Sequence, residues 1–164
     1  MLDIATEAVI GIAVPASVGA GVAKWCDGAT VGGTVYGMPT RANQRIMALD
    51  TTSGVVTGIP VPASVGSDTA TWYGGAAVSG CVCGVPSNAA QITALDTTAG
   101  TVSGVLVPNS TSRSSSHYRW CGGVEVNGRM YGIPSRVDQI LVLDPFLLVD
   151  LAAVLAAVGP LTLQ

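Results

Sequence analysis

Three tryptophans, Trp25, Trp72 and Trp120, stand 47 and 48 residues apart, and each opens the same series of landmarks. A proline follows fourteen residues on (Pro39, Pro86, Pro134) and a glutamine five residues after that (Gln44, Gln91, Gln139). Next come Leu49-Asp50, Leu95-Asp96 and Leu143-Asp144, the first copy carrying one extra residue near Arg45. Beyond the aspartates, TTSGVVTGIPVP (Thr51 to Pro62) is matched by TTAGTVSGVLVP (Thr97 to Pro108). Leu2-Asp3 leads to Val14-Pro15 at the same offset, so the chain opens inside a repeat, at a closing hairpin. A period of this length confines the fold to a series of like units, each burying an apolar face against the next.

Each unit reads as four short strands. In the third copy, Val124 to Val126 and Arg129 to Ile133 flank Asn127-Gly128, a strong hairpin signal because both turn positions require positive φ. Gly32-Gly33 and Ser79-Gly80 hold that place in the other copies. A third strand is predicted over Ile46 to Leu49, Ile92 to Leu95 and Ile140 to Leu143, and a fourth over Val55 to Ile59 and Val102 to Val107. Between them, Asp-Thr-Thr-x-Gly predicts a tight turn in which the carboxylate accepts backbone N–H bonds and glycine takes the left-handed position. The 3.6-residue period of an amphipathic helix is nearly absent from these copies. Four strands per period of about 40–50 residues is the pattern of β-propeller blades, and a β-solenoid would use shorter coils. The tryptophans are expected between neighbouring blades, and Gly74-Gly75 and Gly122-Gly123 where the innermost strands approach the axis. Asp27-Gly28 in the first copy is an irregularity in that glycine pattern.

The run Trp-x-Gly-Gly-Val-x-x-x-Gly-x-x-Tyr-Gly-Ile-Pro followed by Gln-Ile-x-x-Leu-Asp resembles a propeller repeat of uncharacterised eukaryotic proteins, many of them algal or protist. More loosely it is similar to kelch- and NHL-type blades and to those of streptogramin lyases. Trp120 to Asp144 matches best, and the second copy has Cys83 in place of the tyrosine. The resemblance covers about Leu2 to Asp144 and implies a fold without bringing catalytic residues, because propellers host many unrelated activities. The expected architecture is all-β: a partial propeller of about three four-stranded blades over residues 1–144, with repeats beginning near 24, 71 and 119 after a partial blade at 1–23.

Residues 145–164 break the pattern. Asp144 as N-cap, Pro145 in the first turn, Gly159 as C-cap and Pro160 beyond predict a short apolar helix. Fourteen residues at 1.5 Å each reach roughly 21 Å, short of a bilayer core of ~30 Å, and Asp150 further opposes a membrane span. Three accounts stay open for this tail: a cap over the last blade, a membrane-associated anchor, or sequence left by truncation or a misread gene boundary, which is the favoured one. Since propellers use about four to eight blades, the chain is expected either to complete a ring as a homo-oligomer or to be a fragment of a longer propeller. Asp3 and Glu7 stand where a signal peptide would carry basic residues, so no signal peptide is read and a cytoplasmic location is favoured.

Only seven Lys and Arg and a net charge of −3 argue against nucleic acid as a partner. One histidine and four cysteines, without a C-x-x-C pair, give no metal site and imply no cofactor. Cys26, Cys81, Cys83 and Cys121 read as reduced, half-buried thiols, and Asn109-Ser110-Thr111 is a glycosylation sequon relevant only to a secreted chain. The loops after each proline carry the candidate binding residues: Arg41, Asn43 and Gln44, then Asn88 and Gln91, then Arg136, Asp138 and Gln139. Repeat symmetry sets them on one rim, where arginine forks suit a carboxylate, sugar or peptide. The bland alternative has the glutamines bonding backbone and the arginines solvated. His117, in a Ser-rich connector, reads as linker, and recurring Asp3, Asp50, Asp96 and Asp144 read as turn residues rather than catalytic acids. The functional expectation is a non-catalytic scaffold that binds a protein, peptide or glycan. The competing expectation is a propeller enzyme, a lyase or glycan hydrolase, with its site partly outside this chain.

Overall fold

Asn127 and Gly128 adopt φ values of +53° and +78°, as do Gly32 and Gly33 (+56°, +79°) and Ser79 and Gly80 (+51°, +79°). Each pair therefore makes the primed two-residue turn whose twist matches its flanking strands. The computed structural model describes residues 11–40, 44–66, 71–108 and 118–144. Among the described residues, eleven strands in three antiparallel sheets lie around these hairpins. The first is β1 (Trp25–Val31), β2 (Thr34–Pro39), β3 (Arg45–Asp50) and β4 (Val56–Pro60), hydrogen-bonded in chain order. The second repeats it with β5 (Trp72–Val78), β6 (Cys81–Pro86), β7 (Gln91–Asp96) and β8 (Thr101–Leu106). The third has β9 (Trp120–Val126), β10 (Arg129–Pro134) and β11 (Leu141–Leu143). The tail helix predicted over 145–158 lies outside the described residues, as do His117, Asn109 and Leu2-Asp3.

The first strand of each sheet carries a bulge at one place. Three steps from Trp25 to Gly28 on β1 oppose two from Gly37 to Pro39 on β2, and the same offset recurs at Trp72/Gly75 and Trp120/Gly123. The residue inside each bulge has positive φ: Gly74 at +139°, Gly122 at +87° and Asp27 at +58°. Asp27 thus keeps the conformation of its glycine counterparts, helped by its own Oδ1, which accepts the Gly28 N–H at 2.8 Å. The bulged strands meet along a line of glycines. A Cβ on Gly74 would stand 2.7 Å from the Gly122 backbone, and one on Gly75 3.2 Å from Gly28 Cα.

Between the sheets lie two apolar layers of one design. In the first, Tyr36, Met38, Ile46 and Ala48 of the first sheet pack against Trp72, Val82 and Leu95 of the second. In the second, Cys83, Val85, Ile92 and Ala94 pack against Trp120, Met130, Leu141 and Leu143. Alternation along each strand produces this, since residues two apart share a face. Every sheet accordingly has a tryptophan face and a far face, and far face meets tryptophan face at both junctions. Met38 and Val85 are the plugs: each fits where glycines leave room, Met38 at Gly75 and Gly84, Val85 at Gly123 and Gly132.

Candidate functional site

Two of the recurring aspartates, Asp50 and Asp96, close turns. Asp50 Oδ1 accepts the N–H groups of Thr52 and Ser53 at 2.8 and 2.9 Å, and Asp96 Oδ1 accepts those of Thr98 and Ala99 at the same two distances. These backbone donors, Ser53 first, hold the Asp50 carboxyl below the usual carboxylate range. Thr51 and Thr97 donate their hydroxyls to Gly33 and Gly80 O, tying turn to hairpin. Asp144 instead pairs through Oδ2 with Arg129 Nε and Nη2, both at 2.9 Å, a contact that raises the guanidinium pKa.

The tryptophans lock the strand before each turn. Their indole N–H groups donate to Arg45 O at 2.9 Å, Gln91 O at 2.9 Å and Gln139 O at 2.8 Å. Arg45, rather than Gln44, therefore occupies the place of Gln91 and Gln139, and the extra residue of the first copy lies before it. Gln44 is buried with φ +53° and gives its carbonyl to Val61 N, as Ala90 does to Val107 N. Gln91 Nε2 donates to Ser64 O at 2.8 Å, across Gly104. Asn88 Oδ1 accepts both the N–H and the hydroxyl of Thr71 at 2.6 Å. Arg41 and Asn43 lie outside the described residues. Of the eight rim candidates, Arg136, Asp138 and Gln139 are the exposed ones among those described.

Two tyrosines that sequence reasoning passed over join Arg136. Its guanidinium stands over the Tyr118 ring, 5.4 Å from the centroid, and Tyr118 meets the Tyr73 ring edge-on at 5.5 Å. Tyr73 belongs to the bulge of β5 and Tyr118 precedes β9, so the cluster straddles the junction of the second and third sheets. Beneath it, buried Arg119 donates from Nε to Ser87 O at 3.2 Å and from Nη2 to Ala89 O, and stacks 5.0 Å over Trp120. Its burial lowers the guanidinium pKa. Its own carbonyl takes the N–H groups of Ser135 and Arg136 at 2.9 and 3.2 Å, which fixes the loop carrying Arg136. The available signal was the residue before each tryptophan, Lys24, Thr71 and Arg119, which is polar in every copy. The resulting surface offers one cation and two phenol-bearing rings, equipment for holding a planar anionic or hydroxylated group.

The four cysteines are unpaired. Burial, and secondarily Cys81, pushes the Cys83 thiol up to about 12, which keeps it protonated and poorly nucleophilic. Among the described residues no group of three or more His, Cys, Asp or Glu could hold a metal ion, and no helix is long and apolar enough to cross a membrane.

No protein-family model matches the chain, and no curated protein matches it. Among solved structures it is similar to the glutaminyl cyclase of Myxococcus xanthus, with a TM-score of 0.51 at 12% identity over 74% of this chain. That protein is a five-bladed β-propeller. The fold here is propeller-like. The match spans 56% of the cyclase, little more than half its length, and at this identity the likeness is one of fold.

Proposed function

We propose that this chain is a non-catalytic propeller-type scaffold that binds a carboxylate-bearing ligand, peptide or glycan, at the junction of its second and third blades. The observation that carries the reading is the stacking of Arg136 over Tyr118 and of Tyr118 against Tyr73. An exposed arginine held by a ring keeps its fork free for a carboxylate, while the second tyrosine widens the apolar platform. Asp138 and Gln139, exposed on the same loop, supply flanking acceptors and donors for a hydroxylated or amide-bearing neighbour. The blade sequence, which resembles repeats of algal and protist proteins, is in keeping with a module used for its surface.

The enzymatic alternative draws support from the cyclase only at the level of fold. A hydrolase or lyase needs an acid and a base converging on a substrate. Asp50 and Asp96 are engaged in turns and Asp144 is paired with Arg129, so these three are not such a pair. Calorimetric titration with tetraglutamate and with trigalacturonate tests the scaffold reading. Binding of one probe that weakens at least about tenfold in Arg136→Ala and in Tyr118→Ala, with unchanged melting, is the expected result; a tenfold loss is about 1.4 kcal/mol. Affinity unaffected by both substitutions, or no binding of either probe, would overturn it.

A further inference from the structure

The two internal junctions define what a buried far face and a buried tryptophan face look like, and the described residues end on one uncovered face of each kind. On the third sheet the far face presents Val124, Val126, Ile133, Ile140 and Val142, all exposed. Ile133 is 46% and Ile140 59% exposed, where their counterparts in the second sheet, Val85 and Ile92, are 0% and 3%. On the first sheet the tryptophan face is the open one. Trp25, Val35, Met47 and Leu49 are half-buried, whereas Trp72, Val82 and Leu95 at the matching places of the second sheet are 0% exposed. A hollow of about 340 Å³ opens there, lined among others by Trp25, Gly28, Val35, Gly37 and Met47. Among the described residues, the nearest neighbours of an added Cβ on Gly37 are Met47 and Trp25 of its own sheet, while its equivalents Gly84 and Gly132 receive Met38 and Val85.

We infer that the partner of each open face is the other open face, on a second copy of this chain. Ile133, the third member of the series Met38, Val85, Ile133, seats in the Gly28/Gly37 hollow of the second copy, repeating an interface that the chain already builds twice. The contact is heterologous, so it makes either a ring or an open filament. Two copies docked at both junctions close the ring, since three blades from each make six, within the range that propellers use. Closure removes both apolar faces from water, an association driven by the same burial that joins the internal blades.

The test is the absolute mass of the full 164-residue chain by light scattering after size exclusion. A single species of two chains is expected for the unaltered protein. Ile133→Asp alone and Val35→Asp alone are expected to give one-chain species with the sheet circular dichroism retained. Mixed together, these two variants are expected to recover a two-chain species through the one junction left with both faces intact. Should Ile133→Asp unfold, Val142→Lys reads the same face from another strand. A one-chain unaltered protein, as when the segment 145–164 covers the far face from within, overturns the inference. So does open-ended polymerisation, or a two-chain species that survives both substitutions.

Discussion

Among the described residues, Thr51 and Thr97, and Asp50 and Asp96, recur from blade to blade with backbone partners, and a buried polar side chain that does not recur behaves differently. Thr93 is fully buried under the first inter-blade layer, and its hydroxyl has no hydrogen-bond partner. Its counterparts at this place are Met47 and Leu141, both apolar. A buried hydroxyl left without a partner costs desolvation with no return, so Thr93→Val is expected to stabilise the fold by about 1 kcal/mol. A raised midpoint in chemical denaturation checks this, and a lowered one would show that the hydroxyl is satisfied in solution. The aspartates illustrate the opposite case: Asp50 and Asp96 look like repeated carboxylates available for chemistry, yet each caps its own turn. Their role was legible because Asp-Thr-Thr-x-Gly carries the turn mechanism in its own residues. Arg119 was legible only as a polar residue before a tryptophan, and its contacts were not, because its partners Ser87 and Ala89 lie about thirty residues away in another blade.

At the scale of the element, the hairpins, the third strands and the fourth strands fall within one or two residues of where turn chemistry and alternation put them. The bulge is the part that the pattern hid. Asp27 breaks the glycine pair of the other copies in letters only, since it shares their positive φ and their bulge. The bulge turns the first strand so that Gly74 lies on the Gly122 backbone, and glycine is required there for two separable reasons, conformation and space. Gly80 shows a conformational demand without a spatial one: φ is +79°, against +139° at Gly74, and nothing lies within 4 Å of an added Cβ. Gly80→Ala is therefore expected to cost about 1–2 kcal/mol, the price of a left-handed alanine. Gly74→Ala must also push two blades apart, and is expected to cost at least about 2 kcal/mol more, in the range of overpacked cores. Equal losses for the two variants in denaturant titrations would contradict the close approach of β5 and β9.

At the scale of the molecule, the period of the repeat foretold blades, and the likeness to a five-bladed propeller agrees with it. The sequence could not say which faces a neighbour covers, because the far face of β9, β10 and β11 carries Val124, Val126, Ile133, Ile140 and Val142 at places where the second sheet buries equally apolar counterparts. Alternation marks a face fit for burial, and only the position of a blade in the array decides whether a neighbour arrives. The loop arginines show the converse limit: Arg136 was selected for its charge, but its ring partners Tyr73 and Tyr118 became visible only when two blades were set side by side. All of this rests on one geometric claim, that the far face of each blade plugs the glycine hollow of the next through Met38 and Val85. Proton–proton Overhauser contacts in the isotope-labelled chain measure it directly. Cross-peaks are expected from the Met38 side chain to the α protons of Gly84, and from the Val85 methyls to those of Gly123 and Gly132. Their absence from a folded, well-dispersed spectrum would mean that the sheets do not stack as propeller blades.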